Sequence, residues 1–195
     1  PGWPLKNELT NSGFDVWSNS TLVEATSGAA PVLDGANAAL VNNLLTNGGF
    51  DSATSSWSAG KSATLSDETG GKTGNCLQVL ENGENPFAEQ TYSSCVVGKL
   101  YQFTCYIKAG TEATYLVNVG TSGAATAYIS TSGEAAANWT DTVVNIVFEA
   151  TATTCMVRLY QVASAAAGTT LLYDSVTLYE VTPGCVAADT LGPDG

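Results

Sequence analysis

The sequence contains no histidine. That absence removes Ser-His-Asp and Cys-His catalysis and every imidazole metal ligand. Charge is scarce as well: 12% of residues are charged, and 6 basic residues face 18 acidic ones for a net charge of −12. Such a surface repels phosphate backbones and anionic lipid, so nucleic acid and membrane surfaces are poor partners, whereas neutral ligands and Ca²⁺ remain open. No apolar run approaches the ~20 residues needed to span a bilayer. The opening Pro1-Gly2-Trp3-Pro4 lacks the charged and apolar regions of a signal peptide, which leads to the expectation of a fragment, a mature form or a protein released by lysis. Amphipathic helices are missing, and Ala36–Leu45 is the one stretch that could form a helical turn.

The five cysteines, at 76, 95, 105, 155 and 185, include no CxxC spacing, and an odd count does not make a disulfide framework. Neither a zinc site nor a redox pair is supported. Cys105 and Cys155 fall on core-facing strand positions, where cysteine acts as a small hydrophobe. Mainly free thiols are expected, which favours assembly in a reducing cytoplasm. A carboxylate-pair glycosidase needs two acids flanking a glycosidic bond. Nothing in the sequence singles out such a pair, and the chain is read as not an enzyme.

What is present is material for strands. Of 195 residues 44% are hydrophobic, and the polar remainder is rich in Thr, Ser, Asn and Gly. From Leu77 onward the chain reads as strand, turn, strand. In Leu100–Lys108, Tyr101, Phe103, Cys105 and Ile107 share one face while Gln102, Thr104, Tyr106 and Lys108 share the other. Tyr115–Val119, Thr126–Ser130, Val143–Phe148, Cys155–Val162 and Leu171–Val181 follow at similar spacing, separated by Gly-, Ser-, Ala- and Thr-rich links. This pattern predicts an all-β fold, a two-sheet antiparallel β-sandwich.

The chain also echoes itself. Leu9-Thr10-Asn11-Ser12-Gly13-Phe14-Asp15 returns as Leu45-Thr46-Asn47-Gly48-Gly49-Phe50-Asp51, and each copy is followed by a tryptophan, Trp17 or Trp57. Two copies with unlike sequence between them point to two modules that begin with the same kind of first strand, rather than to a solenoid.

Asn43–Asp51 with Trp57 resembles the opening of carbohydrate-binding modules of families 4, 9 and 22. Tyr101–Gly110 resembles their central strand and Leu172–Val181 their closing strand. The resemblance implies a jelly-roll over residues 42–181 that binds carbohydrate without catalysis. Asn11–Ser18 is similar to the start of jelly-roll modules in bacteriophage tail and virion proteins, and Ala188–Gly195 to a later segment of them. Residues 1–41 and 182–195 are therefore expected to be the flanks of a second module into which the sugar-binding-like one is inserted.

The resemblance places a structural Ca²⁺ where the first and last strands meet, with Asp51 and Asp174 as carboxylate ligands and the Gly70–Gly74 loop supplying carbonyls. Asp174 interrupts an apolar alternation of Leu172, Val176 and Leu178, and a buried carboxylate needs a partner. A turn-capping Asp held by hydrogen bonds is the alternative. Sugars offer flat apolar C–H faces ringed by hydroxyls, so a binding site needs aromatic rings beside amides, carboxylates or Arg. On faces opposite the predicted core lie Tyr106 beside Lys108, Tyr128, and Tyr160 alternating with Arg158, with Phe87 and Gln90 on a preceding strand. These six residues are the candidate sugar groove. Trp57 and Trp139 are read as structural, Trp3 and Trp17 as part of the flanking module. Asn138-Trp139-Thr140 fits the N-glycosylation pattern, which is common by chance.

The function expected is adhesion of a phage particle, at the virion surface, to polysaccharide or cell-surface glycan, in company with other virion proteins. A structural virion jelly-roll without sugar binding, and a targeting module of a secreted polysaccharide-degrading enzyme, are the alternatives. Oligomerisation is open, though no coiled-coil heptads are present to impose it.

Overall fold

A computed structural model describes residues 43–82, 85–162 and 168–181. The described residues belong to one compact unit. The expectations for 1–41 and 182–195, the first copy of the echo among them, lie outside the described residues.

Eleven strands follow one another: β1 (Asp51–Thr54), β2 (Ser58–Gly60), β3 (Thr64–Thr69), β4 (Asn75–Leu80), β5 (Phe87–Tyr92), β6 (Leu100–Ala109), β7 (Thr114–Thr121), β8 (Ala124–Glu134), β9 (Val143–Glu149), β10 (Cys155–Gln161) and β11 (Thr170–Val181). Ten of them form two five-stranded sheets in the orders β2-β5-β10-β7-β8 and β3-β4-β11-β6-β9, with antiparallel pairing throughout. The result is the expected all-β sandwich of jelly-roll type. Its core is made by alternation. Tyr101, Phe103, Cys105 and Ile107 of β6 meet Val157 and Leu159 of β10 and Val117 and Val119 of β7, all essentially closed to solvent.

The alternation of β11 changes phase midway. Its pairing with β6 slips between Asp174 and Thr177, and Ser175 there has a φ of 50°. One extra residue on the bulged strand lets both Tyr173 and Val176 face the core. Asp174 consequently leaves the apolar face that strict alternation assigns to it and turns to the outer side, opposite Tyr106.

Residues 43–50, expected as a first strand, form turns instead. Left-handed backbone at Asn47 (φ 53°) and Phe50 (φ 55°) breaks the extended run. The segment is nevertheless fastened to β11. The Asn43 side chain donates to the Val176 carbonyl at 2.8 Å and accepts from Leu178 N at 2.9 Å and Leu45 N at 3.1 Å. Leu44 N donates to the Leu178 carbonyl, and Val176 N to that of Gly48. Phe50 is fully buried against Trp57, whose indole N–H donates to the Asn47 carbonyl, so Trp57 is structural.

Cys76, Cys95, Cys105 and Cys155 are free and buried. Burial pushes the Cys76 thiol up to about 11 and those of Cys105 and Cys155 further still. Because thiolate is the reacting form, these four should resist a thiol reagent at pH 8 in the native protein and react on unfolding, as peptide mapping would read. Asn43→Ala removes two side-chain hydrogen bonds that hold the entry segment to β11 and a third within the segment. It should lower stability in urea unfolding by about 2 kcal/mol.

Candidate functional site

On β10, Val157 and Leu159 enter the core, so Met156, Arg158 and Tyr160 project from the opposite face. Register places Glu89 and Asn118 on either side of Arg158, Phe87 and Leu116 on either side of Tyr160, and Ser130 beyond Asn118. Phe87, Met156 and Tyr160 are buried yet stand apart from the core cluster, and Asn118 is only 5% exposed. The outer face of this sheet therefore sets buried apolar and polar groups side by side.

Within it the contacts are specific. Phe87 and Tyr160 have ring centroids 4.8 Å apart at 50°, and the Arg158 guanidinium lies 4.7 Å from the Phe87 centroid. Arg158 is hydrogen-bonded and ion-paired through Nε to Glu89. Burial works against the charge of Arg158, but its interactions with Glu89 and Tyr160 more than offset this and raise its pKa. The other side of the Phe87 ring rests on Gly60 of β2. A Cβ at Gly60 would come within 2.1 Å of that ring, so a close cross-strand approach requires glycine here. From the core side, the Tyr173 hydroxyl donates to the backbone carbonyl of Tyr160.

Three of the six sequence-derived candidates thus meet: Phe87, Arg158 and Tyr160. The other three lie elsewhere. Gln90 shares the parity of core-facing Ala88, and its amide closes two hydrogen bonds with the backbone of Thr46, at 2.7 and 2.9 Å. Tyr128 stacks on Phe148 of the other sheet (4.6 Å, 15°), and its hydroxyl accepts from Thr151 N and Ala152 N. Tyr106 sits on the outer face of the other sheet under the Lys72 ammonium, 4.0 Å from its ring centroid. Glu89, Asn118 and Met156 were missed by the sequence reading. Asn118 carried a signal, because a polar residue alternating with Val117 and Val119 belongs to the face away from the core.

The expected Ca²⁺ site is corrected. Among the described residues no group of three or more His, Cys, Asp or Glu side chains could hold a metal ion. Asp174, fully buried, has its oxygens taken by backbone donors instead: Thr73 N at 3.0 Å on one and Ser175 N on the other. Asp51 and Asp174 do both abut the 70–74 loop, where a Cβ at Gly74 would meet Asp51 Oδ1 at 2.6 Å and one at Gly71 would meet Asp174 Oδ2 at 2.8 Å. That loop is further held by Trp139, whose indole N–H donates to the Gly70 carbonyl at 2.9 Å. The turn-capping alternative describes Asp174.

No protein-family model matches the chain, and no curated protein matches it in sequence. Solved structures do match its fold. A CBM4 carbohydrate-binding module aligns with a TM-score of 0.53 at 20% identity, covering 67% of this chain and 99% of the module. The N-terminal cellulose-binding domain of Cellulomonas fimi β-1,4-glucanase C gives 0.53 at 18%, covering 71% and 97%. The enzymatically active domain of tailspike protein 4 from bacteriophage CBA120 gives 0.54 at 14%, covering 71% of this chain but 21% of the tailspike. The chain shares with these carbohydrate-binding modules the two-sheet jelly-roll fold.

Burial pushes the Asp174 carboxyl above its ordinary value, and the backbone donors of Thr73, Ser175 and Lys72 pull it back only in part. A raised folded-state pKa stabilises fully below the unfolded value and is lost as pH rises through the folded one. Against Asp174→Asn, which does not titrate, the wild-type stability advantage should therefore shrink as pH rises from the ordinary aspartate range, about 3.9, through the higher folded value. Urea unfolding of both proteins across that range reads it.

Proposed function

We propose that this module binds a carbohydrate chain, without transforming it, on the outer face of the β2-β5-β10-β7-β8 sheet. The observation that carries the reading is the meeting of Phe87, Tyr160, Arg158, Glu89 and Asn118 on one sheet face outside the core. Aromatic carbon beside fixed hydrogen-bonding groups is what a sugar ring, apolar on its faces and hydroxylated at its rim, requires. The fold shared with carbohydrate-binding modules supports the reading, one of those relatives being a cellulose-binding domain by name. The setting we propose is a phage particle, where the module would hold host surface glycans alongside other virion proteins. The flanking sequence and one tailspike likeness support that setting; the likeness to a glucanase's cellulose-binding domain supports the alternative of a targeting module on a secreted enzyme.

A structural virion module is the second reading. The observation that favours it is the Phe87 ring, 9% exposed with Gly60 on one side and Arg158 on the other, which leaves little of it free for stacking.

A glycan array probed with the purified protein separates the two. Saturable binding is expected, weakened about ten-fold or more by Tyr160→Ala and by Arg158→Ala. Tyr106→Ala, on the opposite sheet, should leave it unchanged. Wild-type protein that binds no glycan would put the structural reading first.

A further inference from the structure

Among the described residues, this face carries one polar side chain whose bonding is incomplete. Asn118 is 95% buried, and among the described residues nothing pairs with its Oδ1. The residue lies between core-facing Val117 and Val119, so its amide is on the outer face, beside Arg158 of β10 and Ser130 of β8. A buried amide oxygen left without a donor is costly, and native structures rarely keep one without a reason. Its neighbour does not relieve it, because Arg158 is turned to Glu89 and Tyr160.

That same pairing fixes the charge of the site. Arg158 is the one arginine in a chain of net charge −12, and Glu89 already neutralises it. A ligand carboxylate or sulfate arriving here would find no unpaired cation beside Asn118, and would meet the Glu89 carboxylate. The Asn118 Oδ1 exposes less than 1 Å² to solvent, so a hydroxyl reaches this vacant acceptor once a side chain beside it moves aside.

We propose that Asn118 is the specificity-determining residue of this sheet face. Its Oδ1 accepts one hydroxyl of an uncharged sugar residue, and the Arg158–Glu89 pair turns away acidic sugars at that position. The proposal rests on the carbohydrate-binding reading above and names which glycans and which contact.

The test uses the whole chain on an array of neutral oligosaccharides and of oligosaccharides bearing uronic or sialic acid. Neutral members should bind. Asn118→Leu and Asn118→Ala should each bind the best of them about ten-fold or more weakly, with Asn118→Leu melting at or above the wild-type temperature because an unsatisfied acceptor has been removed. A stabilised variant that binds worse is what a ligand contact gives; a purely structural amide would lose stability on replacement. As a check independent of any variant, one of the single-deoxy analogues of the best oligosaccharide should bind wild-type protein about ten-fold more weakly and bind Asn118→Leu and wild type alike. Preference for the acidic oligosaccharides, or unchanged affinity in both variants, overturns the proposal while leaving carbohydrate binding intact. No binding by wild-type protein to any array member overturns both.

Discussion

Strand β11 carries one residue more between Tyr173 and Val176 than alternation allows, and much of the molecule is arranged around that bulge. With it, Tyr173 and Val176 both reach the core. Tyr173 spans the sandwich to the backbone of Tyr160 on the facing sheet. Val176 offers its carbonyl to Asn43 and its N–H to Gly48, which seats the entry segment. Asp174, displaced to the outside, gathers the 70–74 loop by its backbone N–H groups. A single local irregularity therefore ties the core, the chain entry and the loop, and sets the backbone on which Tyr160 stands. Bulges of this kind re-aim side chains at defined positions, and here three groups are re-aimed at once.

The two outer faces treat charge differently. On the β3-β4-β11-β6-β9 sheet, Lys72 and Lys108 lie over the rings of Tyr106 and Trp139, so cations are parked on aromatic carbon near the surface. On the other sheet Arg158 is paired with a carboxylate and pressed on Phe87. The first arrangement holds a loop in place. The second orders a row of side chains that the core does not need.

Most of the strand layout was legible because β6, β7, β9, β10 and β11 alternate apolar and polar residues or run apolar, and their observed bounds fall within a few residues of those read from the sequence. The short strands β2 and β3 were not legible, since Ser58–Gly60 and Thr64–Thr69 are polar and largely exposed and show no periodic apolar face. Strict alternation misplaced Asp174, because a bulge leaves no mark in a pattern of period two. The outward placement of Arg158 and Tyr160 was legible through their alternation on β10. Gln90 was misjudged because its true partner, the Thr46 backbone, is 44 residues away in sequence. Tyr128 looked outward-facing from its own strand, yet the Phe148 that holds it comes from the opposite sheet. Asn118 was passed over because an amide becomes conspicuous only once its missing partner can be seen.

The β9 edge carries two of the exposed large aliphatic side chains of the described residues, Val143 at 46% and Val147 at 53%. They share the outer face of their sheet with Tyr106 and Gln102, away from the outer face of the facing sheet. A solid support, a fluorophore or a fused protein coupled at Val147 would thus attach the module by its back. The Arg158 face would then point away from the attachment, and every immobilised copy would present it in the same orientation.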